Sequence, residues 1–80
     1  MPSESLPTFP PSARSHVAAN IRRRRKAKGL SQEKLGELAE LHRTYVSQLE
    51  RCKANISIDS LERIARVLEV DAAELLQPPA

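Results

Sequence analysis

With 80 residues, one cysteine (Cys52) and no run near the roughly 18 apolar residues of a membrane span, the chain has room for one domain. That leaves none for a deep catalytic cleft, an intramolecular disulfide or a membrane anchor. The first residues lack the basic head and apolar run of a secretory signal, so a cytoplasmic location is expected. The net charge of +3 is unevenly spread, with 11 Lys/Arg against four Asp/Glu over residues 14–53 and two against five over 54–80, a segregation that suits a basic face turned toward a polyanion.

Proline frames the elements. All six prolines lie near the ends: Pro2, Pro7, Pro10, Pro11, Pro78 and Pro79. Residues 1–13, MPSESLPTFPPSA, are rich in Pro and Ser, with Leu6 and Phe9 scattered and no periodicity, which predicts a disordered arm. From Ser12 to Gln77 there is no proline, two glycines (Gly29 and Gly36) and no lasting period-two alternation, so the domain, residues 14–77, should be all-α. Residues 78–80 form a tail.

A first helix is expected from Ser12 or Ala13 to Lys28, with Val17, Ala18 and Ile21 on one side and Gly29 as a left-handed stop. Ser31 should cap a second, Gln32 to Ala39, burying Leu35, Leu38 and Ala39. After the short link Glu40, Leu41 and His42, a third helix runs to about Arg51. Ser57 should cap a fourth, whose Leu61, Ile64, Ala65 and Leu68 fall at i, i+3, i+4 and i+7. Asp71 and Glu74 have capping-box spacing ahead of a short fifth helix with Leu75 and Leu76, ended by Pro78.

The link between helices two and three is too short for anything but a steep crossing, as in a helix-turn-helix unit. Such a crossing needs a small residue where the backbones meet, and Gly36 stands there although mid-helix glycine costs about 1 kcal/mol against alanine. Leu35, Ala39, Leu41, Val46 and Leu49 would fill the space between the pair. The first turn of helix three, His42, Arg43, Thr44 and Tyr45, then projects outward, a row of polar side chains facing another molecule.

The segment LSQEKLGELAELHRTYVSQLERCK with ISIDSLERIARVLEV resembles the helix-turn-helix domain of phage-repressor and Cro-like transcriptional regulators. HRTYVSQLER is similar also to the small controller proteins of bacterial restriction–modification systems. The resemblance covers residues 14–76 and implies a compact five-helix repressor-like domain that binds double-stranded DNA, with the second helix of the pair in the major groove. Glycine often stands in that family where this chain has Glu40, Cys52 and Glu69. If these are left-handed, each stores about 1 kcal/mol of strain.

By the same resemblance, Arg43, Thr44, Ser47 and Gln48 should reach base edges, where arginine grips guanine, glutamine grips adenine and threonine meets a thymine methyl. Gln32, at the start of helix two, is placed on a phosphate, where free N–H groups also attract anions. Lys53 and Asn55, in the loop after helix three, fit as backbone clamps, although Lys53 also fits as plain solvated surface. Tyr45 either supports the turn or reaches a phosphate.

Arg25 falls four after Ile21 and Glu50 four after Val46, so both charges point inward and should pair; the family has a matching pair. The whole run RRRRK, residues 22–26, points all around a helix and cannot form a single basic stripe. Neither His16 and His42 with Cys52 nor the scattered carboxylates make a metal or catalytic set, so no enzyme, cofactor or small-molecule ligand is expected.

Together these features predict a sequence-specific DNA-binding regulator acting as a homodimer on a palindromic operator. The dimer surface is expected at Val70, Leu75 and Leu76, since adjacent leucines on a short helix cannot both point inward. The main alternative is an antitoxin-type protein whose principal partner is a toxin; a DNA-modifying enzyme fragment lacks any active-site residues.

Overall fold

Residues 12–79 are described by a computed structural model, and five α-helices account for most of them. These are α1 (Ser12–Ala27), α2 (Gln32–Ala39), α3 (Arg43–Glu50), α4 (Ile58–Leu68) and α5 (Ala72–Leu75). No strand occurs among the described residues. Helix α1 starts at Ser12, so two residues assigned to the arm are helical; the remainder of that expected arm, with Phe9, lies outside the described residues.

Helix starts follow local chemistry. The Ser31 hydroxyl accepts from the Lys34 N–H at 2.9 Å, and Ser57 accepts from the Ser60 N–H at 3.1 Å, each satisfying a donor that the helix leaves free. The expected capping box at α5 does not form, because Asp71 makes no side-chain cap bond. Glu74 turns instead toward Arg24, at 3.5 Å, and the start of α5 goes without it.

Four helices end in the same closure, in which a residue in the left-handed conformation lets the next N–H reach back five residues. The bonds are Leu30 N–H to the Arg25 carbonyl (3.0 Å), Leu41 to Gly36 (2.7 Å), Lys53 to Gln48 (2.8 Å) and Val70 to Ala65 (3.0 Å). The left-handed residues are Gly29, Glu40, Cys52 and Glu69, with φ of 69°, 59°, 60° and 61°. Three of the four turns thus form without glycine, at about 1 kcal/mol each in local strain.

The core joins all five helices through Val17 and Ile21, Leu35 and Ala39, Val46 and Leu49, Leu61, Ile64, Ala65 and Leu68, and Leu75. Leu38 does not belong to it and is 50% exposed. The inward face of α2 is Leu35, Gly36 and Ala39, and Leu38 lies about 110° around the helix from its centre. Gly36 occupies the inner position because α2 and the α2–α3 link touch there. A Cβ on Gly36 would stand 2.5 Å from the Leu41 carbonyl oxygen.

At the other end, Leu75 is fully buried while Leu76 is 43% exposed. Leu75 is therefore core and cannot serve in the dimer surface with which it was grouped. Val70 is half-buried and packs on the core's edge. Asn20, on the inward side of α1, holds this end: its amide donates to the Leu75 carbonyl at 3.0 Å and to that of Gln77 at 2.7 Å. Those are carbonyls that so short a helix leaves unsatisfied.

Candidate nucleic-acid interface

The packing leaves one face of α3 uncovered. Val46 and Leu49 anchor the helix in the core, so Arg43 and Thr44 stand exposed at its first turn, with Ser47 and Gln48 half-buried behind them. Arg43, Thr44 and Ser47 share an open cleft with Gln32 and Glu33, formed where the first turns of α2 and α3 approach. Gln48 lies outside that cleft. The cleft is lined by donors, hydroxyls and one ion pair, and the free N–H groups and positive dipole end of α2 lie at its margin.

Arg43 is not free. Its Nη1 donates to Glu33 Oε2 at 2.8 Å, with both side chains 67% exposed. A pair so exposed contributes under about 1 kcal/mol, so breaking it to free Arg43 costs little. Glu33 was not singled out from the sequence. An acidic residue in a helix's first turn is ordinary, and only the folded chain brings it beside Arg43.

His42 has a different part from the outward one expected of it. It is the N-cap of α3, its Nδ1 accepting from the Thr44 N–H at 3.1 Å, so the proton of the neutral ring sits on Nε2. Capping rules centred on Ser, Thr, Asp and Asn pass over it.

The loop after α3 is fastened from two sides. The Tyr45 hydroxyl donates to the Asn55 carbonyl oxygen, while the Arg14 guanidinium donates to the Asn55 side-chain oxygen. Of the two readings of Tyr45, this geometry gives it a supporting place. Asn55 is occupied within the chain, and its amide nitrogen is left as the group able to face outward. Lys53 is exposed beside it.

Arg25 and Glu50 meet beneath this surface. Arg25 Nε and Nη2 donate to the two carboxylate oxygens at 2.6 and 2.9 Å, and Nη1 donates to the Leu30 carbonyl at 2.7 Å. The side chains are 10% and 3% exposed. The hydrogen bond to Glu50 holds the Arg25 guanidinium above its ordinary pKa, against burial, which acts the other way. Gln32 joins the group, its Nε2 donating to Glu50 Oε1 at 3.1 Å. One carboxylate therefore fixes α1, the start of α2 and the end of α3 relative to one another.

Among the described residues, no three His, Cys, Asp or Glu side chains gather as metal ligands would, and no helix is long and apolar enough to cross a membrane.

Comparison with known proteins bears on this surface. Residues 21–75 match the helix-turn-helix family. A hypothetical transcription factor of Neisseria meningitidis serogroup B is 46% identical over 66 residues, which are 82% of this chain and 62% of that protein. Control protein C.BamHI of Bacillus amyloliquefaciens is 47% identical over 47 residues, 59% of this chain and 58% of that one. The chain thus spans about three fifths of the length of these two relatives. A crystal structure of SinR, the master regulator for biofilm formation, in complex with DNA superposes with a TM-score of 0.72 at 37% identity, covering 76% of this chain and 98% of that one. SinR of Bacillus subtilis is a helix-turn-helix transcriptional regulator. With its α2–α3 pair, its uncovered third helix and the match over residues 21–75, the chain belongs to the helix-turn-helix family.

Proposed function

We propose that this chain is a cytoplasmic, sequence-specific regulator that binds a two-fold symmetric operator as a homodimer, with α3 in the major groove. The observation that carries the reading is the shared cleft: Arg43, Thr44 and Ser47 open onto the same space as Gln32. Base-reading groups and a backbone-holding group must stand side by side in this way if one docked orientation is to serve both. Arg43 presents a planar fork to guanine once it leaves Glu33, Thr44 a methyl and a hydroxyl, and Gln48 a bidentate amide. Gln32, Lys53 and the Asn55 amide hold the sugar–phosphate backbone, and Tyr45 keeps their loop in place. The Arg25–Glu50 pair fixes the angle between α1 and α3. That SinR, with the same fold, has been crystallised with DNA supports the docking.

Selection from a random duplex library, followed by binding measurements on the selected site, tests this. The selected site should have two half-sites about 34 Å apart. Arg43→Ala should lose about 1–3 kcal/mol and relax preference at one base position in each half. Gln32→Ala should weaken all sequences nearly alike. An Arg43→Ala protein that kept both affinity and preference would remove α3 from the role of reading head.

A further inference from the structure

Helix α1 carries six cations within seven positions, RRRRKAK over residues 22–28, and the fold sorts them into two kinds. Arg24, Arg25 and Lys28 are each paired, with Glu74 at 3.5 Å, Glu50 at 2.6 Å and Glu69 at 2.8 Å. Arg22, Arg23 and Lys26 are exposed, and their side chains have no ion pair or hydrogen bond among the described residues. The run as a whole makes no stripe, but these three do. Together with Ser15, Ala18 and Ala19 they line a shallow groove along α1 that also takes in Glu50. Positions 19, 22, 23 and 26 follow the i, i+3, i+4, i+7 pattern of a single helix face.

The groove's one carboxylate does not offset its charge. Glu50 is 3% exposed and already bonded to Arg25 and Gln32, so three cations face solvent over a floor of alanine.

We propose that this groove is a second seat for DNA backbone phosphates, outside the reading pair α2–α3. The inference rests on the reading given under Proposed function. There, a backbone strand is held at Gln32, and Gln32 is hydrogen-bonded to the same Glu50 that lines the groove. Gln32 and the groove's three cations thus share Glu50 as a neighbour. The groove's composition favours a phosphate row over an acidic protein, since protein contacts centre on well-packed, desolvated pockets, whereas this groove is open and has little apolar surface beyond two alanine methyls. It is equally unsuited to a membrane surface, which takes bulky apolar side chains. Phosphates need closely spaced cations and room for the strand, and both are present.

The test uses the full chain with Arg22→Gln, Arg23→Gln and Lys26→Gln combined, and a mixed-sequence duplex of about 30 base pairs, three helical turns. Affinity is measured between 50 and 200 mM KCl. Each phosphate contact contributes about 0.9 to the slope of log K against log salt, so the slope should fall by about 2–3. The wild type's advantage should then shrink about 40-fold across that range. Helical circular dichroism and the preference for a selected operator should match the wild type, since the three side chains touch nothing else. Lys28→Gln, a cation of the same helix that is paired with Glu69 outside the groove, is the control for charge alone and should move the slope by well under 1.

A triple-variant slope within about 0.5 of the wild type overturns the proposal, and is also the result if the groove serves an acidic protein. An equal effect per charge from Lys28→Gln overturns it too. Failure of the parent reading looks different: the wild type would then select no operator at all, whatever the triple variant did to the salt slope.

Discussion

Glu50 is the residue on which three helices agree, and its energetics differ from those of the surface pairs. Lys34–Glu37 and Arg43–Glu33 lie in water and contribute little. Arg25–Glu50 is desolvated, so removing one partner strands a buried charge. Arg25→Met or Glu50→Gln alone should cost about 3–5 kcal/mol, and replacing both should cost far less than the sum. Urea unfolding followed by circular dichroism gives the cycle; small additive losses would mean that both side chains are solvated. This pair was legible in the sequence because each charge sits four residues from a core aliphatic. Asn20 was not, although it falls three after Val17 on the same face. Its partners are carbonyls 55 and 57 positions later in the chain, and no local rule names them. Glu33 and His42 escaped for a related reason, since their partners depend on how two helix starts are brought together.

Helix boundaries and the steep α2–α3 crossing were readable from caps, glycines and spacing, because those rules act within a few residues. They failed where tertiary geometry competed. Leu38 obeys helical spacing yet lies outside, since Gly36, a residue without a side chain, takes the inner position to admit the link. The Asp71–Glu74 spacing suggested a reciprocal cap, but Arg24 of α1 draws Glu74 away. Gly36 itself gives the sharpest test at this level. Alanine there raises intrinsic helix propensity by about 1 kcal/mol. Its methyl would also meet the Leu41 carbonyl, a backbone atom fixed by its own turn, at 2.5 Å. The second effect should win, with a net destabilisation of about 1–3 kcal/mol as in other overpacked sites. A higher urea midpoint for Gly36→Ala would show that the α2–α3 link yields easily and that glycine is not required there.

A single α3 touches only a few base pairs, too few to define a site among many competitors, so the molecule as a whole must be doubled if it is to be specific. We propose that the surface for this lies on the acidic half. Leu76 is 43% exposed just past α5, and Val70, just past α4, lines a cleft with Glu62, Arg66 and Asp71. An interface about a two-fold axis presents the same patch from both copies, so Arg66 of one can face Asp71 of the other while the apolar residues meet between them. Adjacent leucines at the chain's end showed in the sequence that one would be available; which one was decided by the packing of Leu75 under α1 and α4, a long-range matter. We expect sedimentation at micromolar concentration to give about twice the chain mass, since standard dimer contacts persist at such concentrations. Leu76→Glu should leave the helical signal intact, because that side chain is outside the core, while shifting the protein to monomer and weakening operator binding far more than binding to a single half-site. Leu75→Glu, by contrast, should fail to fold, as a charge would enter the core unpaired. A Leu76→Glu protein that still sedimented as a dimer would move the interface elsewhere, and a wild-type monomer binding its operator with unit stoichiometry would remove the dimer altogether.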